Sequence, residues 1–378
     1  MHLTLKQISL CDANAIEKHH AHHRKPADEA RTRLAECQRA GAASVMTRPS
    51  ESPRRALVLA GGAAKAAFEV GALAALVERG LKFGTVIGAS AGALNAAYFA
   101  AGVRAGRELD AAREMVDFWL ERARWRTFLE LSSRAVVAGR GLSSSARLEA
   151  VLRERMGPLA KLPTQSEVQL RLVASMLSAG RRHDGALSYE HVFSFAESDF
   201  VNRLDEIAHA ALASSAFPDL FAPVHVPSVG ACVDGGLVAN TPLAEAVASG
   251  DVDEVYILTP LSPADGDPDR LGGLSLISRW IDIMVSERFN REIDRAERAH
   301  AQRQVLAEEH GRGALSEQQH WDLQRRLGLR HAARVVLIRP RKALPGDLLA
   351  AFGDETLRAE YLARGRAAAE ETLTAEAA

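Results

Sequence analysis

The 378-residue chain is long enough for one large domain or two ordinary ones, and its 47% apolar and 25% charged residues are an ordinary globular mixture. A net charge of −1 supplies no overall field to recruit nucleic acid, which argues against a nucleic-acid partner. Cys11, Cys37 and Cys232 are odd in number and fit no zinc spacing, which argues against a disulfide scaffold and for a reducing, cytoplasmic setting. The opening "MHLTLKQISLCDANAIEKHH" lacks a sustained apolar run, and no stretch reaches the ~18 consecutive apolar residues of a membrane span. Contact with a membrane is therefore expected only from its surface.

Residues 1–53 are polar, weakly periodic and end in "MTRPSESPRR", which predicts a flexible or partly helical extension. Its His19, His20, His22 and His23 have no acidic or cysteine companions at useful spacing and read as a solvated tract, not a metal site. From residue 54 the pattern changes. "RALVLAGG" (55–62) predicts a buried strand, and "AAKAAFEVGALAALVERG" a helix closed by Gly80. "FGTVIGAS" and "AGALNAAYFAAG" repeat the strand–helix pair. Residues 106–157 read as helices, with caps at 143–145. Two strands ("VQLRLVASML", "ALSYEHVFSF"), a helix ("RLDEIAHAALASSAF") and a strand entering a tight turn ("GACVDGGLVAN") come next. "TPLAEAVASG" predicts a helix capped by Thr241 with Pro242 first, and "VDEVYILTPL" a buried strand. A long helical pattern over 274–310 has Leu276, Trp280, Ile283, Met284 and Ile293 along one face, suited to packing on a sheet or partner, or to resting on a bilayer. A late strand, "ARVVLIRP", precedes a final helix. Alternating strands and helices predict an α/β fold with a mostly parallel sheet sandwiched between helices. The expected division is a polar extension over 1–53, a catalytic domain over 54–345 and a helical tail over 346–378.

Ser90 lies in "GASAG" between a predicted strand and a predicted helix, the arrangement of a nucleophile elbow. A sharp turn would project its hydroxyl beyond the sheet. Gly88 and Gly92 remove side chains that would collide there, and the helix N-terminus favours developing negative charge. Tight backbone packing would explain the same glycines. A serine nucleophile needs a base. His300, His310 and His320 lie in polar helical sequence with no turn to aim them, and His331 precedes a strand, the wrong end of a parallel sheet for chemistry. "AGGAAKAAF" matches no nucleotide loop, but its amides could form an anion-binding nest. Asp234, followed by Gly235 and Gly236, is aimed outward by its strand; it reads equally as a base or a turn-stabilising side chain.

Together, "GGAAK" (61–65), "GASAG" (88–92) and "DGG" (234–236), with "SSAFPDLFAPV" just before the last, resemble the patatin-like phospholipase family over about residues 54–260. The resemblance implies a Ser–Asp dyad in which Asp234 activates Ser90. It implies an oxyanion hole from the turn of Gly61, Gly62 and Ala63, with Lys65 as the adjoining basic residue. It implies acyl-ester substrates, phospholipids among them, and no metal or cofactor for the chemistry. Phe217, Leu220 and Phe221 would wall an acyl channel or simply pack in the core. The family's third loop glycine is here Ala63, and the glycine after the basic residue is Ala66. A weakened enzyme acting as a lipid-binding or regulatory protein is one rival reading, and an acyltransferase on the same elbow is another. Headgroup, chain length and oligomeric state are left open.

Overall fold

In the computed structural model, which describes residues 53–128, 143, 145–181, 185–218, 220–248, 252–262, 274–329 and 333–377, the apolar runs pair into one eight-stranded sheet. The strands are β1 (Arg55–Leu59), β2 (Thr85–Ala89), β3 (Gln169–Arg181), β4 (Leu187–Phe195), β5 (Val224–Val226), β6 (Gly230–Val233), β7 (Glu254–Leu258) and β8 (Arg334–Ile338). Their order is β5-β6-β3-β2-β1-β7-β8, and β4 also pairs with β3. From β3 through β8 all neighbours are parallel. The antiparallel members are β4 and β6 against β3, and β5 against β6.

Helices cover both faces, because the central strands bury side chains on both. The longer ones are α1 (Ala67–Glu78), α2 (Ala91–Arg104), α3 (Glu108–Glu121), α4 (Ala146–Ala160), α5 (Leu204–Ser215), α6 (Leu243–Ala248), α7 (Leu274–Gly311), α8 (Glu317–Arg326) and α9 (Glu355–Ala377). Alternation along β1 sets the layers: Leu57 and Leu59 join α1, α2, α3 and α9 in one core, while Ala56 and Val58 join Leu243, Phe289 and Ile293 in the other. The expected α/β sandwich is the observed architecture.

One local expectation needs correction. The helix after "DGGLVAN" starts at Leu243, and Thr241 does not cap it; its buried hydroxyl has no partner among the described residues, and its carbonyl instead accepts the Leu243 N–H. The helical segment after 346 packs into the fold. Tyr361, Leu362 and Ala369 of α9 lie in the core formed with α1, and the buried Arg358 guanidinium donates to the carbonyls of Leu120 and Ala351. Gly80 does close α1, at φ +79, and Leu81 N–H bonds back to Leu76 O. On α7, Phe289 and Ile293 are buried against the sheet, whereas Ile283 and Met284 are exposed. The side chains of Leu276 and Trp280, and the expectation for residues 1–52, lie outside the described residues.

Candidate active site

Ser90 stands where β2 turns directly into α2, with φ 55 and ψ −131. A non-glycine residue there is strained, by about 1–3 kcal/mol, and such strain persists only where surrounding structure enforces it. The enforcement is visible. The Ser90 N–H donates to Ser214 Oγ at 3.0 Å, and that hydroxyl donates to Val173 O at 2.5 Å, tying the elbow to β3. A Cβ on Gly92 would stand 2.3 Å from Leu59 O, and one on Gly88 2.5 Å from Gly92 O. The first turn of α2 thus rests on the end of β1, leaving no room for side chains.

Asp234 reaches the serine through sheet topology. β4 occupies one edge of β3, so β2 and β6 share the other: β2 pairs up to Ala89–Val173, and β6, running oppositely, pairs at Ser175–Val233. The ends of β2 and β6 therefore meet head-on, and the next residue of each is Ser90 or Asp234. Ser90 Oγ donates to Asp234 Oδ2 at 2.6 Å. The Gly236 N–H donates to Oδ1 at 2.7 Å, and Ser175 Oγ to the Asp234 carbonyl at 2.7 Å. Gly235 lets the loop lie on β3, since a Cβ there would stand 2.0 Å from Val173 O. Both side chains are buried. Burial pushes the Asp234 carboxyl up to about 6, against the opposing hydrogen bonds from Ser90 and Gly236.

The glycine turn lies against the serine: a Cβ on Gly61 would be 2.9 Å from Ser90 Cβ. Its three expected anion donors are not equivalent. The Gly61 N–H donates to Asn240 O at 2.8 Å, while Asn240 Nδ2 donates back to Gly61 O at 3.2 Å. Gly61 is thus clamped, whereas the N–H groups of Gly62 and Ala63 have no partner among the described residues. Lys65, half-buried in the 3-10 turn Ala63–Ala66, is absent from the cavity lining described below.

The two alanines of this loop differ as well. Ala63 has φ +44, in the region that favours glycine, whereas Ala66 has φ −63. Ala63→Gly is expected to raise stability by up to about 1 kcal/mol, because relief of left-handed strain outweighs the added freedom of the unfolded chain. Ala66→Gly should lower it by roughly 0.5–1 kcal/mol, having no strain to relieve. Urea unfolding of both single variants measures the difference, and equal effects would contradict the assigned backbone.

Ser90, Asp234 and Ala63 open onto a cavity of about 120 Å³ whose walls are almost entirely apolar. Phe217, Leu220 and Phe221 line it, with Phe221 also packed against Leu148 and Leu212. No described histidine lines it: His300 and His310 lie on α7, His320 on α8, and His331 falls outside the described residues. Among the described residues no group of three or more His, Cys, Asp or Glu side chains is placed to hold a metal ion, and no helix is long and apolar enough to cross a membrane. Sequence reasoning missed Ser214, Ser175 and Asn240. All three lie in stretches it quoted, but their roles depend on bonds to β2, the aspartate loop and the glycine turn.

The family model described as patatin-like phospholipase matches residues 57–247. Uncharacterized NTE family proteins of Mycobacterium tuberculosis (strain H37Rv) and Mycobacterium bovis are 29% identical over 243 residues, covering 64% of this chain and 59% of theirs. The chain thus spans under two thirds of the length of these curated relatives. Among solved structures, VipD from Legionella pneumophila is similar at 14% identity, covering 89% of this chain and 73% of that one, with a TM-score of 0.39. ExoU in the ExoU–SpcU complex of Pseudomonas aeruginosa is similar at 19% identity, covering 85% and 69%, with a TM-score of 0.31.

Proposed function

This chain belongs to the patatin-like phospholipase family, and on that premise we propose that it is a serine acyl hydrolase cleaving acyl esters of phospholipids or related lipids. The observation that supports this most directly is the 2.6 Å hydrogen bond from Ser90 Oγ to Asp234 Oδ2, buried at one wall of an apolar cavity. Asp234 accepts the hydroxyl proton as Ser90 attacks the ester carbonyl. The negative charge that develops on the carbonyl oxygen is met by the N–H groups of Gly62 and Ala63. Collapse of the tetrahedral adduct breaks the ester bond, and protonated Asp234 returns its proton to the departing alkoxide. Asp234 then deprotonates a water that attacks the acyl-serine, and the fatty acid leaves with the serine restored.

An aspartate is normally a poor base for an alcohol. Burial improves it: a carboxyl at about 6 holds a proton far better than one at its ordinary value of 3.8, yet is still mostly ionised at pH 7. The sign of the pH dependence follows. The enzyme works with Asp234 ionised, so kcat/KM should be low below pH 6, rise tenfold per pH unit through that region and level off above pH ~7. The test is release of free fatty acid from a soluble short-chain ester and from a lysophospholipid, followed from pH 4 to 9. A midpoint near 4 or above 8, or no acid released from either ester, would reject the reading.

A further inference from the structure

The cavity beside Ser90 is lined by apolar side chains from several helices and by one charged residue besides Asp234, Arg155. Its floor follows α2, where Leu94, Asn95 and Tyr98 line it beyond Ser90. Its opposite wall follows α4, ending in Arg155. At that end the Arg155 guanidinium lies 4.8 Å from the ring centres of both Tyr98 and Phe118. It donates to the carbonyl of Glu114 at 3.2 Å and stands 3.9 Å from that residue's carboxylate. The Tyr98 hydroxyl donates to the same carboxylate. A cation held between two aromatic faces and joined to a carboxylate makes a stiff polar stopper in an otherwise apolar passage. The Arg155 side chain is partly exposed, so the cluster borders both the cavity and solvent.

We propose that Tyr98, Glu114 and Arg155 form the closed end of the acyl-binding channel and limit the accepted chain to about eight to ten carbons. Eight residues of helix separate Ser90 from Tyr98, an advance of about 12 Å, shortened slightly because helical side chains lean towards the N-terminus. An extended hydrocarbon advances about 1.25 Å per carbon, from a C–C bond of ~1.5 Å and a near-tetrahedral angle. A longer chain must unseat the guanidinium from both rings or fold back on itself, and it would press methylenes against groups that need polar partners. The proposal rests on the serine-hydrolase reading and adds its substrate class: medium-chain acyl esters.

The test is kcat/KM for p-nitrophenyl esters of four, eight, ten, twelve and sixteen carbons, paired with fatty-acid binding read from protein fluorescence, since Trp119 and Trp125 line the same cavity. The expected profile climbs about fourfold per methylene buried at the short end. It should peak at eight to ten carbons and fall at least tenfold by sixteen. Decanoate should perturb the fluorescence at lower concentration than palmitate. Tyr98→Ala should raise the sixteen-to-eight ratio tenfold or more. Arg155→Met, which keeps the stem between the rings and removes the charge, should raise it less. A wild-type profile still climbing at sixteen carbons overturns the stopper, and so does a ratio unmoved in both variants. Decanoate preference without turnover of any ester would overturn the hydrolase reading and leave the stopper standing.

Discussion

Ser90→Ala is expected to abolish ester hydrolysis, lowering kcat by about 10⁴-fold or more, because it removes the hydroxyl that donates to the Asp234 carboxylate. In the structure the Ser90 side chain has one recorded hydrogen-bond partner, Asp234, while the elbow is held through its backbone: the N–H to Ser214 Oγ, and the contact of Gly92 with Leu59 O. Alanine is no more strained than serine at φ 55 and leaves those restraints in place. The variant should therefore keep the circular dichroism and unfolding midpoint of the parent. A fluorophosphonate should label the parent once, at Ser90, and leave the variant unlabelled. Hydrolysis within tenfold of the parent in a folded Ser90→Ala protein, or labelling at another residue, would remove Ser90 from the mechanism.

Asp234→Asn should cost nearly as much activity, on the order of 10³–10⁴-fold, for a different reason. The amide can still accept the Gly236 N–H, but it cannot take the serine proton. Stability is expected to move the other way. The folded protein holds the Asp234 carboxyl at about 6 against an ordinary 3.8, so ionising it in place costs on the order of 3 kcal/mol, at about 1.4 kcal/mol per tenfold change in proton affinity. A carboxyl whose affinity for protons rises on folding stabilises the protein at low pH and loses that contribution as pH climbs through about 6. The variant should therefore match or exceed the parent's Tm at pH 8, and any advantage should fade below pH ~4. Thermal unfolding at the two pH values, alongside an ester assay, checks both halves. A variant that is active, or one whose Tm falls more at pH 8 than at pH 4, would contradict a buried, reluctantly ionised base.

Much of this architecture was legible in the linear chain because it rests on local periodicity. Runs such as 56–59, 86–89 and 255–258 are apolar throughout, as strands covered on both faces must be, and glycines flank the serine where only glycine fits. The termini of elements were less legible. Thr241 has a helix-capping side chain at a helix-like start, yet its carbonyl accepts the Leu243 N–H and its hydroxyl has no partner among the described residues. The place of the helix after 346 in the core depends on α1, almost 300 residues earlier.

The sequence by itself determined most of the elements, though not β5 or α8, together with the turn around Ser90 and the candidacy of Asp234, because each depends on residues within one turn or strand. Only the tertiary structure decided that the two side chains meet. Their hydrogen bond joins residues 144 positions apart, and it exists because β2 and β6 approach end to end along one edge of β3. The same holds for the anion donors. Gly61 looks equivalent to Gly62 in the chain, but Asn240, 179 residues away, takes its N–H, and Ala63 alone of the two loop alanines is forced to positive φ. The cluster of Tyr98, Glu114 and Arg155 is likewise assembled from three helices, and no local pattern marks Arg155 for it. Local steric and hydrophobic rules act over a few residues, whereas a proton transfer or a pocket end needs groups a few ångströms apart in space, and only the packed sheet and helices set those distances.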